Sequence, residues 1–331
     1  MRIAILGAGA WGTALAIRLS RYHALHLWSR DGDNVALMRQ NLENTRYLPG
    51  FSLPPAVHVT SEMAEAVGDA ELVLVVVPTA GLRTTLEQLA SIGSPSLLWA
   101  CKGLEPGSTK LAHQVAQEVF GEQFRCGVLS GPSFAQEVAR GMPTALTLAS
   151  RDETFAREAA AALHSSHLRI YSSDDVVGVE IGGAVKNVMA IAAGISDGMG
   201  FGNNARAALI TRGLAEMARL SLALGGRFDT VMGLAGAGDL ILTCTGDMSR
   251  NRQVGLQLAA GKPLAQIVAE LGHAAEGVHT ARELTRLIRG LAIEMPVTAA
   301  VCAVLHENLS PKLAVEALLK RELKSEHIHA S

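Results

Sequence analysis

Four segments of the chain combine polar side chains with glycine in patterns that could carry chemistry. The most unusual is Glu180-Ile181-Gly182-Gly183-Ala184-Val185-Lys186-Asn187-Val188-Met189-Ala190. Helical spacing places Gly182 and Lys186 on one face, with Gly183 and Asn187 beside them. A glycine inside a helix costs about 1 kcal/mol against alanine, so two in succession call for an offsetting close approach, by a cofactor or a strand. Lys186 is surrounded by apolar residues and has no acidic partner one turn away. A lysine so placed either snorkels to water or has a depressed pKa and exchanges protons near neutrality. The second segment, Gly233-Leu234-Ala235-Gly236-Ala237-Gly238-Asp239-Leu240, carries a carboxylate in apolar surroundings, costly unless it is paired. Its partner is not legible. Further on, Ser249-Arg250-Asn251 opens a helical stretch. A hydroxyl, a guanidinium and an amide at a helix start make a phosphate cradle, or equally an N-capped surface helix.

Two more groups follow short apolar runs. Lys102 lies in Ala100-Cys101-Lys102-Gly103-Leu104-Glu105, and Gly131 and Ser133 in Leu129-Ser130-Gly131-Pro132-Ser133-Phe134-Ala135. Those runs read as strands, so both groups fall at the carboxyl edge of a sheet, where open α/β folds bind ligands. Ser133 is placed to cap a following helix or to offer its hydroxyl to a ligand.

The elements that would position these groups change character along the chain. Ile3–Leu6, Ala24–Trp28, Val57–Thr60, Leu72–Val77, Ser96–Ala100 and Cys126–Leu129 read as strands, with Thr144–Ala149 and Leu168–Ser172 after them. Several are continuous apolar runs, as expected of parallel strands covered on both faces. Trp11–Tyr22, Gly81–Ile92, Thr109–Phe120 and a stretch from about Asp152 to Leu163 have helical spacing. This alternation predicts an α/β, Rossmann-type doubly wound domain over residues 1–175. From Val176 onward the pattern is almost entirely helical, which predicts an all-α domain over 176–331 with the site in the cleft between the two. Asn204 is a plausible N-cap for a helix through Leu224, in which Arg212 and Glu216 are spaced to pair. Glu276–Ile288 and Thr298–Glu307 are further helices, with Pro296 suiting a helix start, and the Lys320–Ser331 tail reads as frayed.

Between the first strand and the first helix stands Gly7-Ala8-Gly9-Ala10-Trp11-Gly12. A G-x-G-x-x-G in a strand–loop–helix context is a dinucleotide-binding loop, its glycines serving a tight turn, the approach of a pyrophosphate and helix–strand packing. The run at 233–238 lacks a preceding strand and is not a second such loop. A site selective for NAD often has an acid near the end of the second strand. Here the strand ends in Ser29-Arg30-Asp31, and a guanidinium there attracts a 2′-phosphate. NADP is therefore the expected cofactor, with NAD as the lesser one and Asp31 close enough to oppose the preference.

Bulk properties narrow the classes. The 331 residues suit two domains, 49% hydrophobic content supplies a core, and a formal charge of -2 argues against a nucleic-acid partner. Cys101, Cys126, Cys244 and Cys302 are widely spaced, fitting a reducing compartment rather than a disulfide framework or a thiolate metal site. No signal-peptide pattern or membrane span is legible, so a soluble cytoplasmic protein without a metal is expected.

The stretches GAGAWGTALA, NTRYLPG, CKGLEP, LSGPSFAQEVARGMPTA, GGAVKNVMAIAAGISDGMGFGNNARAALITRGLAEMARL, GAGDLILTC, SRNRQVG and EGVHTARE followed by EMPV run over nearly the whole chain. Together they resemble the bacterial-type NAD(P)-dependent glycerol-3-phosphate dehydrogenase family. The resemblance implies reversible reduction of dihydroxyacetone phosphate to sn-glycerol 3-phosphate, feeding phospholipid synthesis, in a homo-oligomer, a dimer. It implies Lys186 as proton donor and acceptor with Asp239 beside it. Lys102, Gly131, Ser133, Ser249, Arg250 and Asn251 would hold the phosphorylated triose. Gly7, Gly9, Ala10, Trp11, Gly12, Arg30, Lys102, Ala135, Arg250, Ala274 and Glu276 would line the nucleotide. Ala10 stands where the family often has serine, and Ala274 where valine is usual. The competing readings are a β-hydroxyacid or 6-phosphogluconate type of dehydrogenase, which needs a carboxylate site, and a non-catalytic nicotinamide sensor, which needs no Lys186.

Overall fold

The computed structural model describes residues 1–93, 95–271 and 275–320. Eight strands form one sheet: β1 (Arg2–Leu6), β2 (Ala24–Trp28), β3 (Val57–Thr60), β4 (Leu72–Val75), β5 (Ser96–Trp99), β6 (Cys126–Ser130), β7 (Thr144–Ala149) and β8 (Leu168–Ser173), in the order β3-β2-β1-β4-β5-β6-β7-β8. Alternate residues of each central strand enter opposite cores. Ile3, Ile5, Leu72 and Leu74 face one side, and Ala4, Leu6, Val73 and Val75 the other. This two-sided burial explains why the strands were legible as unbroken apolar runs. The order reverses at β1, between β2 and β4, so a crevice opens at the carboxyl ends of β1 and β4.

The sheet departs from the expected parallel pattern at one place. β7 runs antiparallel to β6, while β8 is parallel to β7. The only helix between β6 and β7 is α6 (Ala135–Arg140), six residues long. It stays at the carboxyl edge, where Val138 and Ala139 pack on Ala14 of α1 (Ala10–Leu19). β7 therefore begins at that edge and runs back.

The other sheet-flanking helices are α2 (Gly32–Asn41), α3 (Met63–Val67), α4 (Leu82–Ile92), α5 (Ala112–Phe120) and α7 (Glu153–Leu163). Helical spacing in the sequence marks α4, α5 and α7 but not α2 and α3. α2 buries little apolar surface beyond Val35 and Met38, and its start depends on Asp31, whose side chain accepts a hydrogen bond from Asn34 N.

After Ser173 the described chain is helical: α8 (Val176–Gly198), α9 (Gly202–Ala223), α10 (Phe228–Met232), α11 (Asp239–Thr245), α12 (Arg250–Ala259), α13 (Leu264–Leu271), α14 (Glu276–Ile288), α15 (Pro296–His306) and α16 (Pro311–Leu319). The N-cap of α9 is Phe201, three residues ahead of the expected Asn204, and Gly200 and Gly202 on either side of it both have positive φ. Glu216 does not pair with Arg212 but reaches α15, accepting from Val297 N at 2.6 Å and Thr298 N at 3.1 Å. The predicted tail beyond Lys320 lies outside the described residues.

α8 is the axis of this half. It has the length and mean hydropathy of a membrane span, yet protein surrounds it on nearly all sides, the pattern of a core helix. Its two glycines answer the question the sequence raised. A Cβ on Gly182 would stand 2.4 Å from the carbonyl oxygen of Ala235, and one on Gly183 would stand 3.2 Å from Cγ of Lys102. The close approach at Gly182 is therefore to a π-helical turn (Leu234–Gly238), and at Gly183 to a lysine stem and to Ser130 at the end of β6, 3.3 Å away, so a strand is one of the neighbours the glycines admit.

Backbone at 2.4 Å cannot yield as a flexible side chain can. Gly182→Ala is expected to lower stability by about 1–3 kcal/mol, the usual cost of overpacking. Denaturant midpoints check this against Gly32→Ala, where a Cβ meets nothing within 4 Å.

Candidate active site

The turn that Gly182 admits leads directly into α11, whose first residue is Asp239. Lys186, one helical turn beyond Gly182, meets it there. Lys186 Nζ donates to Asp239 Oδ1 at 2.8 Å and to Thr243 Oγ1 at 3.0 Å. Lys102, delivered by the loop after β5, donates to the other oxygen, Oδ2, at 2.5 Å and to the carbonyl of Gly131 at 3.1 Å. Asp239 is thus shared by two ammonium groups, and its own side chain is only 2% exposed. The acid that Lys186 lacks one turn away is thus Asp239, 53 residues on in sequence, beside it as the family resemblance implies.

Electrostatics follow from this sharing. Burial opposes ionisation of Asp239, but the two ammonium groups outweigh it and hold its carboxyl below the ordinary value. For Lys102, burial dominates, Lys186 adds to it, and Asp239 offsets only part, so its pKa falls to about 8. Each ammonium has three donors and spends two on the protein. The cluster carries a net single positive charge with donors to spare, which suits an oxygen that gains negative charge.

A polar chain backs the cluster. Asn187 Nδ2 donates to the carbonyl of Lys102 at 3.1 Å, Asn251 Nδ2 donates to Asn187 Oδ1 at 2.9 Å, and Asn251 Oδ1 accepts from Gly277 N at 3.0 Å. Asn251 therefore ties α8, α12 and α14 together. Ser249 is the N-cap of α12, accepting from Arg252 N at 3.3 Å. Between them Arg250 is exposed and makes no side-chain hydrogen bond or ion pair among the described residues. Of the three expected cradle residues, only Arg250 keeps its side chain uncommitted.

The glycine loop forms the other wall. Gly7 adopts φ +125°, and a Cβ there would overlap the carbonyl of Val76. Gly9 faces open space and precedes α1, which has no side-chain cap. Free first-turn N–H groups beneath an open space fit the pyrophosphate of a nicotinamide dinucleotide. Ala10 starts α1, Trp11 follows, and Gly12 packs on Gly7. Ser133 does not cap α6, whose N-cap is Phe134. Its Oγ accepts from Trp11 Nε1 at 3.1 Å and donates to the Gly131 carbonyl at 3.2 Å, linking the glycine loop to the lysine cluster. Ala135 opens α6 at the same edge. Glu276, first residue of α14, reaches Thr79 N at 3.4 Å, and burial raises its pKa. Arg30 lies exposed beyond β2, and Ala274 lies outside the described residues. Thr243, Asn187 and Thr79 were not among the candidates. Thr243 was the most findable, one turn after Asp239 in the same segment.

A doubly wound sheet with an open glycine loop, joined to helices that bring a buried lysine–carboxylate–lysine cluster to its carboxyl edge, defines a two-part nicotinamide-nucleotide dehydrogenase. Residues 2–156 match the N-terminal and residues 175–316 the C-terminal family model of NAD-dependent glycerol-3-phosphate dehydrogenase, and the chain belongs to this family. It is 60% identical to the glycerol-3-phosphate dehydrogenase (NAD(P)+) of Nitrosospira multiformis, over 98% of this chain and 99% of that one. It is 59% identical to the enzyme of the same name from Dechloromonas aromatica, over 98% and 99%. Among solved structures it is similar to glycerol-3-phosphate dehydrogenase from Coxiella burnetii, with 42% identity and a TM-score of 0.93 over 97% of this chain and 99% of that one.

Asp239→Asn would leave two buried ammonium groups without their counter-charge, a loss of about 3–5 kcal/mol. Because the folded-state pKa of Lys102 is depressed to about 8, the unfolded state binds more protons from there up to the ordinary lysine range, and stability from this group rises with pH. The variant lacks the carboxylate that holds that value up, so its deficit is expected to shrink between pH 7 and 9. Denaturant titrations at both pH values test this, and a constant deficit would refute it.

Proposed function

We propose that this chain catalyses the reversible, nicotinamide-dependent reduction of dihydroxyacetone phosphate to sn-glycerol 3-phosphate. The observation that carries this reading is the Lys186–Asp239–Lys102 cluster at the carboxyl edge of the sheet, with Arg250 uncommitted. We further propose residues 1–175 as the dinucleotide-binding domain and 176–331 as the substrate domain. The proposed setting is a cytoplasmic homodimer that prefers NADP(H) and supplies phospholipid synthesis.

In this reading Gly7, Gly9, Ala10, Trp11 and Gly12 hold the pyrophosphate side of NADP(H) or NAD(H), Arg30 the adenosine ribose, and Lys102, Ala135, Arg250 and Glu276 line the rest. When bound, the dihydronicotinamide supplies the hydride. The chain's own part is charge and proton management. Negative charge grows on the substrate's carbonyl oxygen, and the unspent donors of Lys186 and Lys102 stabilise it there. Lys186 then gives that oxygen a proton, and takes it back in the reverse direction. Asp239 and Thr243 hold the Lys186 Nζ in place between these states. Arg250, with the free N–H groups at the α12 start, binds the distal phosphate and so orients the reacting carbon.

Steady-state oxidation of NADPH with dihydroxyacetone phosphate tests the proposal, and a folded wild-type chain that oxidises none would overturn it. Lys186→Ala is expected to lower kcat about 10²–10⁴-fold, the usual span for a general acid, with NADPH binding nearly intact. Arg250→Ala is expected to raise the KM for dihydroxyacetone phosphate by about tenfold or more, as loss of a charge-assisted contact implies. An unchanged KM would place the phosphate elsewhere.

A further inference from the structure

The carboxyl end of β2 holds an arrangement that the sequence alone could not evaluate. Asp31 follows Arg30 and stands where a carboxylate would repel a 2′-phosphate. In the structure both of its oxygens are engaged. Oδ1 accepts from Asn34 N at 3.0 Å, which caps α2, and Oδ2 receives the Arg46 guanidinium at 2.8 Å. The pair is open to solvent, with side chains 38% and 55% exposed, so it adds little to folding.

Arg46 is nevertheless held with care. Asn44, fully buried, donates from Nδ2 to the Ala8 carbonyl at 2.9 Å and to Thr13 Oγ1 at 2.8 Å. Asn44 Oδ1 accepts from Tyr47 N at 3.3 Å, and buried Leu48 packs beside Ala14. These contacts anchor residues 44–48 to the glycine loop and α1. The Arg46 guanidinium lies 5.3 Å from the centre of the Tyr47 ring, which restricts it further. Among the described residues, Arg30 makes no side-chain hydrogen bond or ion pair. Arg30, Asp31 and Arg46 together carry one net positive charge at the end of β2.

We propose that Arg46 determines nucleotide specificity by neutralising Asp31, so that the Arg30 side of the ribose site accepts a 2′-phosphate. It acts through Asp31 as a positioning residue and takes no part in hydride or proton transfer. The proposal rests on the reading that the glycine loop holds a nicotinamide dinucleotide.

The test is equilibrium binding of NADPH and of NADH, followed by nucleotide fluorescence without substrate. Arg46→Ala is expected to weaken NADPH about tenfold, the effect of one uncompensated charge near a phosphate, with NADH changed less than about twofold. Arg46→Lys, which keeps the charge, should bind NADPH nearly as wild type. Asp31→Asn added to Arg46→Ala should restore NADPH binding, because asparagine still caps α2 while the repelling charge is gone. Equal weakening of both nucleotides would reduce Arg46 to a structural tie and overturn the proposal. So would an unchanged NADPH affinity, or a loss that Asp31→Asn does not restore. Wild-type protein that binds neither nucleotide would remove the dinucleotide reading itself, and this inference with it, an outcome distinct from the other three.

Discussion

A buried carboxylate shared by two lysines sets the terms for the rest of the site. Asp239 could not remain ionised at 2% side-chain exposure without compensation, and neither lysine alone would leave a positive charge over for a substrate. With two, the carboxylate is stabilised and one charge remains. The arrangement needs three segments at one point: the loop after β5, the middle of α8 and the start of α11. Much of the surrounding structure serves to bring them there.

α8 does most of that work. Gly182 lets it touch the turn before Asp239. Further along, a Cβ on Gly194 would stand 2.0 Å from the carbonyl of Arg252, so α12 also lies unusually close. That contact sets the start of α12, and with it Arg250, at a fixed distance from Lys186. Near its beginning, Glu180 accepts from Trp99 Nε1 at 2.8 Å and from His113 N at 2.9 Å, joining α8 to β5 and α5. The helix that carries the lysine is thus fastened to the sheet that carries the glycine loop. The offset for two helix-interior glycines is this geometry.

The parts legible from sequence were those whose signal is local. Unbroken apolar runs marked the strands because burial on both faces removes alternation. The glycine loop was readable because a tight turn, a phosphate approach and a helix start occupy six consecutive residues. Ser249 was readable as an N-cap for the same reason. α2 was missed because two inward apolar side chains make no clear stripe. The two roles open to Ser133 could not be separated from sequence, because its helix begins one residue later than capping requires and its partner, Trp11, is 122 residues away.

By itself, then, the sequence determined the sheet-then-helix order, the nucleotide loop and the residue types available for acid–base and phosphate chemistry, since each depends on neighbours within a few positions. Tertiary structure alone decided which charges meet. Asp239 found Lys102 and Lys186, Asp31 found Arg46, and Glu216 turned from Arg212 to cap α15. Pairing energies depend on distance and burial, which helix packing sets and residue spacing along the chain does not encode.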